Sequence, residues 1–153
     1  MNRCMALFFC ALLLHWSSPL IASKNAPTLY TKDNSFPFST LKGKWVFINY
    51  WASWCHACIE EIAELNHFYE KNKENSVALF AVNYDGLSAK EQIVLAQQFG
   101  LTYPSLNKDP MHDLHLEDIQ VLPVTFIFNP QGELYETLYG SQTATHLNTY
   151  LKN

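Results

Sequence analysis

The sequence predicts a single α/β sandwich in which a central mixed sheet is covered on both faces. Short apolar runs rich in β-branched and aromatic residues alternate with amphipathic stretches that carry helix caps, the pattern of βα units around a largely parallel sheet. A tight turn, Asn129-Pro130-Gln131-Gly132, joins the last two runs and makes that pair antiparallel. The 153 residues, 48% hydrophobic and 16% charged, suffice for one compact domain and not for two.

Residues 1–23 stand apart from the fold. Met1-Asn2-Arg3 is a short positive start, residues 5–16 are almost wholly apolar, and Ser17-Ser18-Pro19 breaks the run before the small residues Ala22 and Ser23. This is the three-part pattern of a secretory signal peptide. The apolar run is shorter than the roughly 20 residues a membrane-spanning helix needs. Cleavage near Ser23 is therefore expected, with an uncleaved N-terminal anchor as the alternative. The remaining domain, residues 24–153, is expected to work outside the cytoplasm, in the periplasm or an equivalent compartment.

Within that domain residues 26–44 are polar and proline-containing, a small hairpin or irregular lead-in. Trp45–Trp51 (WVFINYW) is a near-continuous apolar run, which suits a strand buried on both faces. A helix is expected over residues 55–71 and a second buried strand over 76–82. Ser88-Ala89-Lys90-Glu91 is a capping box opening a helix that Gly100 closes. A weak helix is expected over residues 111–118, a strand over 124–128 and its hairpin partner over 133–139. A last helix over 143–151 would place Leu147, Tyr150 and Leu151 on one side.

Charge and cysteine usage narrow the chemistry. The formal net charge of -4 leaves no basic footprint for nucleic acid. Arg3 is the single arginine, so the domain has no guanidinium with which to clamp phosphate or carboxylate in a bidentate fork. Of four cysteines, Cys4 and Cys10 fall in the leader, and Cys55 and Cys58 remain.

Trp54-Cys55-His56-Ala57-Cys58 lies at a strand-to-helix junction and admits several readings. As a structural staple the pair is weak, because closing so short a ring contributes only about 2 kcal/mol, against about 4.7 for a loop of a hundred residues. Half of a zinc site lacks its second pair. Haem attachment fails because Ile59 stands where histidine is required. Redox chemistry fits best: the helix N-terminus stabilises a thiolate, and helical spacing brings the second sulfur within bridging distance. His56 either tunes the Cys55 thiolate or is an exposed spacer, and the residues leave both open. Glu61 shares a helical face with Cys58, Ile62, Leu65 and Tyr69, while Glu60, Glu64 and His67 lie away from it. A carboxyl on that stripe, one turn from Cys58, has a raised pKa and can exchange a proton with a thiol. Such a role is favoured over a side chain that snorkels to solvent. Pro123 alone reads as an ordinary strand-start proline, and His112 with His115 as a surface pair rather than a metal site.

The run Asn49-Tyr50-Trp51-Ala52-Ser53-Trp54-Cys55-His56-Ala57-Cys58 resembles the thioredoxin superfamily, specifically its exported TlpA/ResA-like thiol–disulfide oxidoreductases. Leu41-Lys42-Gly43-Lys44 before the first buried strand is similar too. So are Glu61, at the position of the branch's active-site glutamate, and Asn49, where cytoplasmic relatives carry a buried aspartate. Leu122-Pro123-Val124-Thr125-Phe126-Ile127 matches the cis-proline strand. His56-Ala57 replaces the proline-containing pairs common in the family.

The resemblance implies a thioredoxin-like three-layer sandwich and a redox-active disulfide between Cys55 and Cys58, with neither cofactor nor metal. It implies that Cys55 attacks a substrate disulfide, that Cys58 resolves the mixed disulfide, and that Glu61 handles its proton. Trp54, Leu122 and Pro123 would contact substrate, and His56 would modulate the potential. Expected partners are exported proteins with cysteine pairs, such as apocytochrome c, and a membrane electron donor of the DsbD/CcdA type. Two other readings stand beside it: the same chemistry run as an oxidase or isomerase, and a thiolate copper-binding or delivery protein.

Overall fold

A computed structural model describes residues 26–152, so the leader peptide expected over 1–23 lies outside the described residues. Two short strands, β1 (Thr28–Tyr30) and β2 (Ser35–Pro37), form an antiparallel hairpin followed by a 3-10 helix, Phe38–Leu41. The main chain then alternates: β3 (Trp45–Trp51), α1 (His56–Asn72), β4 (Val77–Asn83), α2 (Ala89–Gln98), β5 (Ser105–Leu106), β6 (Val124–Phe128), β7 (Leu134–Tyr139) and α3 (Ala144–Leu147). Five strands make one sheet in the order β5-β4-β3-β6-β7. β3, β4 and β5 run parallel, and β6 and β7 are antiparallel to their neighbours.

The sheet is the mixed one the sequence predicts. Every residue of β3, β4 and β6 is buried, which is why those runs show no polar alternation. Side chains alternate across the plane of β3. Trp45, Phe47 and Trp51 enter a core with α1, α2 and α3, while Val46, Ile48 and Tyr50 enter a second core on the opposite face. Phe47 meets Phe68 of α1 edge to face at 5.0 Å, a favourable aromatic geometry.

Segment 107–122 covers the second face together with the hairpin and the 3-10 helix, through Met111, Leu114, Leu116 and Ile119. The helix expected over 111–118 is absent there. Asp109 Oδ1 accepts from the backbone N–H of Met111 and from the Tyr50 hydroxyl, tying a turn to the sheet. His115, at φ 53, then breaks any continuation into a helix. The C-terminal helix is also shorter than expected: α3 spans four residues, capped by Thr143, and a 3-10 turn, Tyr150–Lys152, follows. Leu147 and Tyr150 are nevertheless buried together, as their spacing implies.

The turn between β6 and β7 is held by Asn129, whose side-chain oxygen accepts from Gln131 N and Glu133 N. Gly132, at φ 84, supplies the left-handed residue that this connection requires.

Candidate active site

The end of β3 and the start of α1 deliver the cysteine pair. After Trp51 the chain turns through Ala52-Ser53, where Asp85 accepts from Ser53 N and Ser53 Oγ at 2.9 Å each. Asn83 donates to the same carboxylate, so the ends of β3 and β4 are locked to one another. Cys55 is the N-cap of α1, and its sulfur accepts from Cys58 N at 3.2 Å. One first-turn amide and the positive end of the helix dipole therefore face the Cys55 sulfur.

Cys55 and Cys58 are joined as a disulfide with a Cα–Cα distance of 5.3 Å. Cys55 is 8% exposed and Cys58 only 1%, so a reagent arriving from solvent meets Cys55. Trp54, 70% exposed, projects beside it. His56 is also exposed, and its Nε2 lies 3.2 Å from Glu60 Oε1, one helical turn along the solvent face.

Glu61 is 2% exposed and lies on the apolar face of α1 with Cys58, Ile62, Leu65 and Phe68. Its Oε2 accepts from Asn49 Nδ2 at 3.1 Å, and its Oε1 accepts from the backbone N–H of Gln142 at 2.8 Å. Asn49 is positioned by β-sheet register. It pairs with Thr125 of β6, and its Nδ2 also reaches Thr125 Oγ1 at 3.0 Å. Burial pushes the Glu61 carboxyl from an ordinary 4.5 up to about 7, and the donors from Gln142 and Asn49 oppose that rise without cancelling it. Tyr103, buried with its hydroxyl unpartnered among the described residues, belongs to the same core. Burial raises its pKa well above the ordinary tyrosine value, and the negative charge of Glu61 adds to the rise.

The Leu122–Pro123 peptide is cis, and Pro123 is buried at the start of β6 while Leu122 is half-buried. Among the residues singled out from sequence, Cys55, Cys58 and Glu61 come together around the start of α1. Trp54 stands at its exposed edge, and His56 points away from the buried carboxylate toward Glu60. His112 and His115 are exposed on segment 107–122, and no cluster of three or more metal-ligating side chains occurs among the described residues.

Sequence reasoning missed three contributors. Thr125 left a trace, as the single polar residue in the VTFIF run. Gln142 left none, because its contact with Glu61 is made by a backbone amide. Glu64, placed away from the apolar stripe, is exposed yet accepts from Ala144 N at 2.8 Å and so fastens α3 to α1.

Known proteins resemble this chain over most of its length. Residues 22–137 match the family model described as AhpC/TSA family. The thiol-disulfide oxidoreductase ResA of Bacillus anthracis is 31% identical over 134 residues, covering 84% of this chain and 76% of that protein. The crystal structure of StoA from Bacillus subtilis superposes with a TM-score of 0.65 at 26% identity, over 83% of this chain and 98% of that one. The exposed lipoprotein thioredoxin Etrx1 of Streptococcus pneumoniae shares the fold alone, with a TM-score of 0.69 at 21% identity over 82% of this chain and 96% of that one. With its cysteine pair bridged at the head of α1, the chain belongs to the AhpC/TSA family of thioredoxin-like proteins, as a thiol–disulfide oxidoreductase of the ResA-like type.

Proposed function

We propose that the protein is an extracytoplasmic disulfide reductase acting on exported proteins with cysteine pairs, apocytochrome c among them. The observation that carries the reading is the buried Glu61 carboxyl, on the same apolar face of α1 as Cys58 and one turn from it, with a proton affinity near neutrality. In the reduced enzyme the Cys55 thiolate attacks a substrate disulfide, forming a mixed disulfide and releasing one substrate thiolate. Cys58 passes its proton to the Glu61 carboxylate and attacks the Cys55 sulfur. The Cys55–Cys58 bond forms, the mixed disulfide breaks, and the second substrate thiolate leaves. Two electrons pass to the substrate, and Glu61 returns the proton to solvent or to the leaving thiolate.

Trp54, Leu122 and Pro123 would dock an extended substrate segment beside Cys55. A membrane electron carrier of the DsbD/CcdA type would re-reduce the pair, since an oxidising compartment supplies no reductant. The leader expected over residues 1–23 would export the domain or anchor it. Among the described residues no helix is long and apolar enough to cross a membrane.

The direction of electron flow is supported by His56. Strong oxidants of this chemistry owe their potential to a reduced form stabilised by extra positive charge near the thiolate. Here the ring next to Cys55 lies in solvent with the Glu60 carboxylate 3.2 Å from its Nε2, and that negative charge offsets a positive field at the thiolate. A reduction potential well below about -200 mV is expected, and a value near -120 mV would identify an oxidase instead. Cys55→Ala should abolish disulfide reduction. Cys58→Ala should accumulate a mixed disulfide in the native host, whose partner mass spectrometry would identify. Normal turnover without a trapped partner would remove Cys58 from the resolving role.

A further inference from the structure

The connection from β7 to the first residue of α3, residues 140–144, bonds to the proline strand and to α1 at four points. Gly140, in the left-handed region at φ 81, donates its N–H to the Pro123 carbonyl at 2.8 Å. Ser141 Oγ donates to the carbonyl of Ala57, between the two cysteines, at 2.9 Å. Gln142 N donates to Glu61 Oε1, and Ala144 N donates to Glu64 Oε2, each at 2.8 Å. The loop thus ties the proline strand, the cysteine turn and the buried acid to one another.

Within this connection the Gln142 side chain, buried at 8% exposure, makes a further clamp. Its Nε2 donates to the Gly140 carbonyl at 2.8 Å, so its Oε1 is left as an acceptor, 2.7 Å from His146 Nδ1. Nδ1 must carry a proton to make that bond, which both the Nδ1–H neutral tautomer and the imidazolium do. His146 is itself fixed by Thr143, whose hydroxyl accepts from His146 N at 3.2 Å, and by its ring packing on Tyr150 at 5.8 Å.

We propose that Gln142 is a positioning residue for the Cys58 step: clamped between Gly140 and His146, it keeps its own backbone N–H on the Glu61 carboxylate and so sets the pH at which Glu61 accepts a proton. The proposal rests on Glu61 being the proton acceptor of the proposed reductase. The groups facing Glu61 are Cys58 on α1, Asn49 of β3, Gln142 ahead of α3 and the Tyr103 hydroxyl ahead of β5. None is a cation. Glu64 lies one turn along α1 but is engaged by Ala144 N. The two neutral donors on Glu61 are therefore what opposes its desolvation, and only the Gln142 donor hangs on a loop. Loosening that loop weakens the bond to the charged form and moves the titration upward.

The test is a carbon-13 NMR pH titration of the Glu61 side-chain carboxyl in the oxidised full chain. The midpoint should lie near 7 in the wild type. Gln142→Ala and His146→Phe should each raise it by about half to one pH unit, a three- to tenfold change in proton affinity. His146→Asn, whose amide nitrogen replaces Nδ1 as donor, should restore it. Adding His146→Phe to Gln142→Ala should shift the midpoint no further, because both act through one clamp. Variants that lower the melting temperature and leave the midpoint unmoved would overturn the proposal. His146 is exposed, so His146→Phe carries the test if Gln142→Ala does not fold. A wild-type midpoint near 4.5 would instead remove Glu61 from the proposed proton transfer, a failure distinct from an unmoved midpoint near 7.

Discussion

Glu61 shows how a side chain of ordinary type acquires an unusual proton affinity. Two hydrogen bonds to its carboxylate favour ionisation, yet withdrawal from water outweighs both, and the result is about 7 rather than 4.5. The same shift has a consequence for stability. A carboxyl whose folded pKa exceeds its unfolded value binds its proton more tightly in the native state. Its contribution is full below pH 4.5 and is lost as pH rises through 7. Two and a half units correspond to about 3 kcal/mol. Urea unfolding of the oxidised protein at pH 5 and pH 8 should show the wild type losing stability of that order, while Glu61→Gln stays nearly flat. An equal slope in both proteins would mean that Glu61 is ionised in the fold. The apolar stripe on α1 made the burial of Glu61 readable from sequence. The two donors that temper its pKa could not be read, because one is a peptide N–H and the other, Asn49, needs strand register to face it.

At the level of elements, legibility followed local chemistry. α2 begins where its capping box places it: Ser88 Oγ accepts from Glu91 N, and Ser88 N donates to the Glu91 carboxylate at 3.0 Å. Ser88→Ala should therefore cost about 1 kcal/mol, read as a lowered urea midpoint at unchanged slope. The central strand was equally plain, since seven consecutive apolar or aromatic positions broken only by Asn49 suit a strand covered on both faces. Phe47, fully buried against Phe68, should cost about 3–5 kcal/mol when changed to Ala in the same measurement. β5 was not readable, because two residues, Ser105 and Leu106, carry no period. The expected helix over 111–118 failed for the converse reason. Its apolar residues resemble a helical face, but Tyr50 and Asp109 pin the segment to the sheet as turns, and tertiary contacts override a weak propensity.

For the whole molecule, the disulfide is a reactive device on a fold that stands without it. Cys55 and Cys58 are three residues apart, so reduction removes only about 2 kcal/mol of loop constraint, while the two cores on either side of the sheet remain intact. The reduced protein should keep its far-ultraviolet circular dichroism and a cooperative melt, with only a modest loss of stability. Unfolding on reduction would assign the pair a structural role instead. The sequence by itself determined the α/β class, the placement of a cysteine pair at a helix start, and the acid one turn beyond. These depend on period, caps and spacing, which are local properties of the chain. Only the tertiary structure decided how that acid is held. Its two donors come from positions 12 and 81 residues away along the chain, and the second is a peptide group that every residue but proline possesses. A buried carboxylate takes its pKa from the groups that surround it in space, and those groups are gathered by the packing of β3, α1 and the loop ahead of α3.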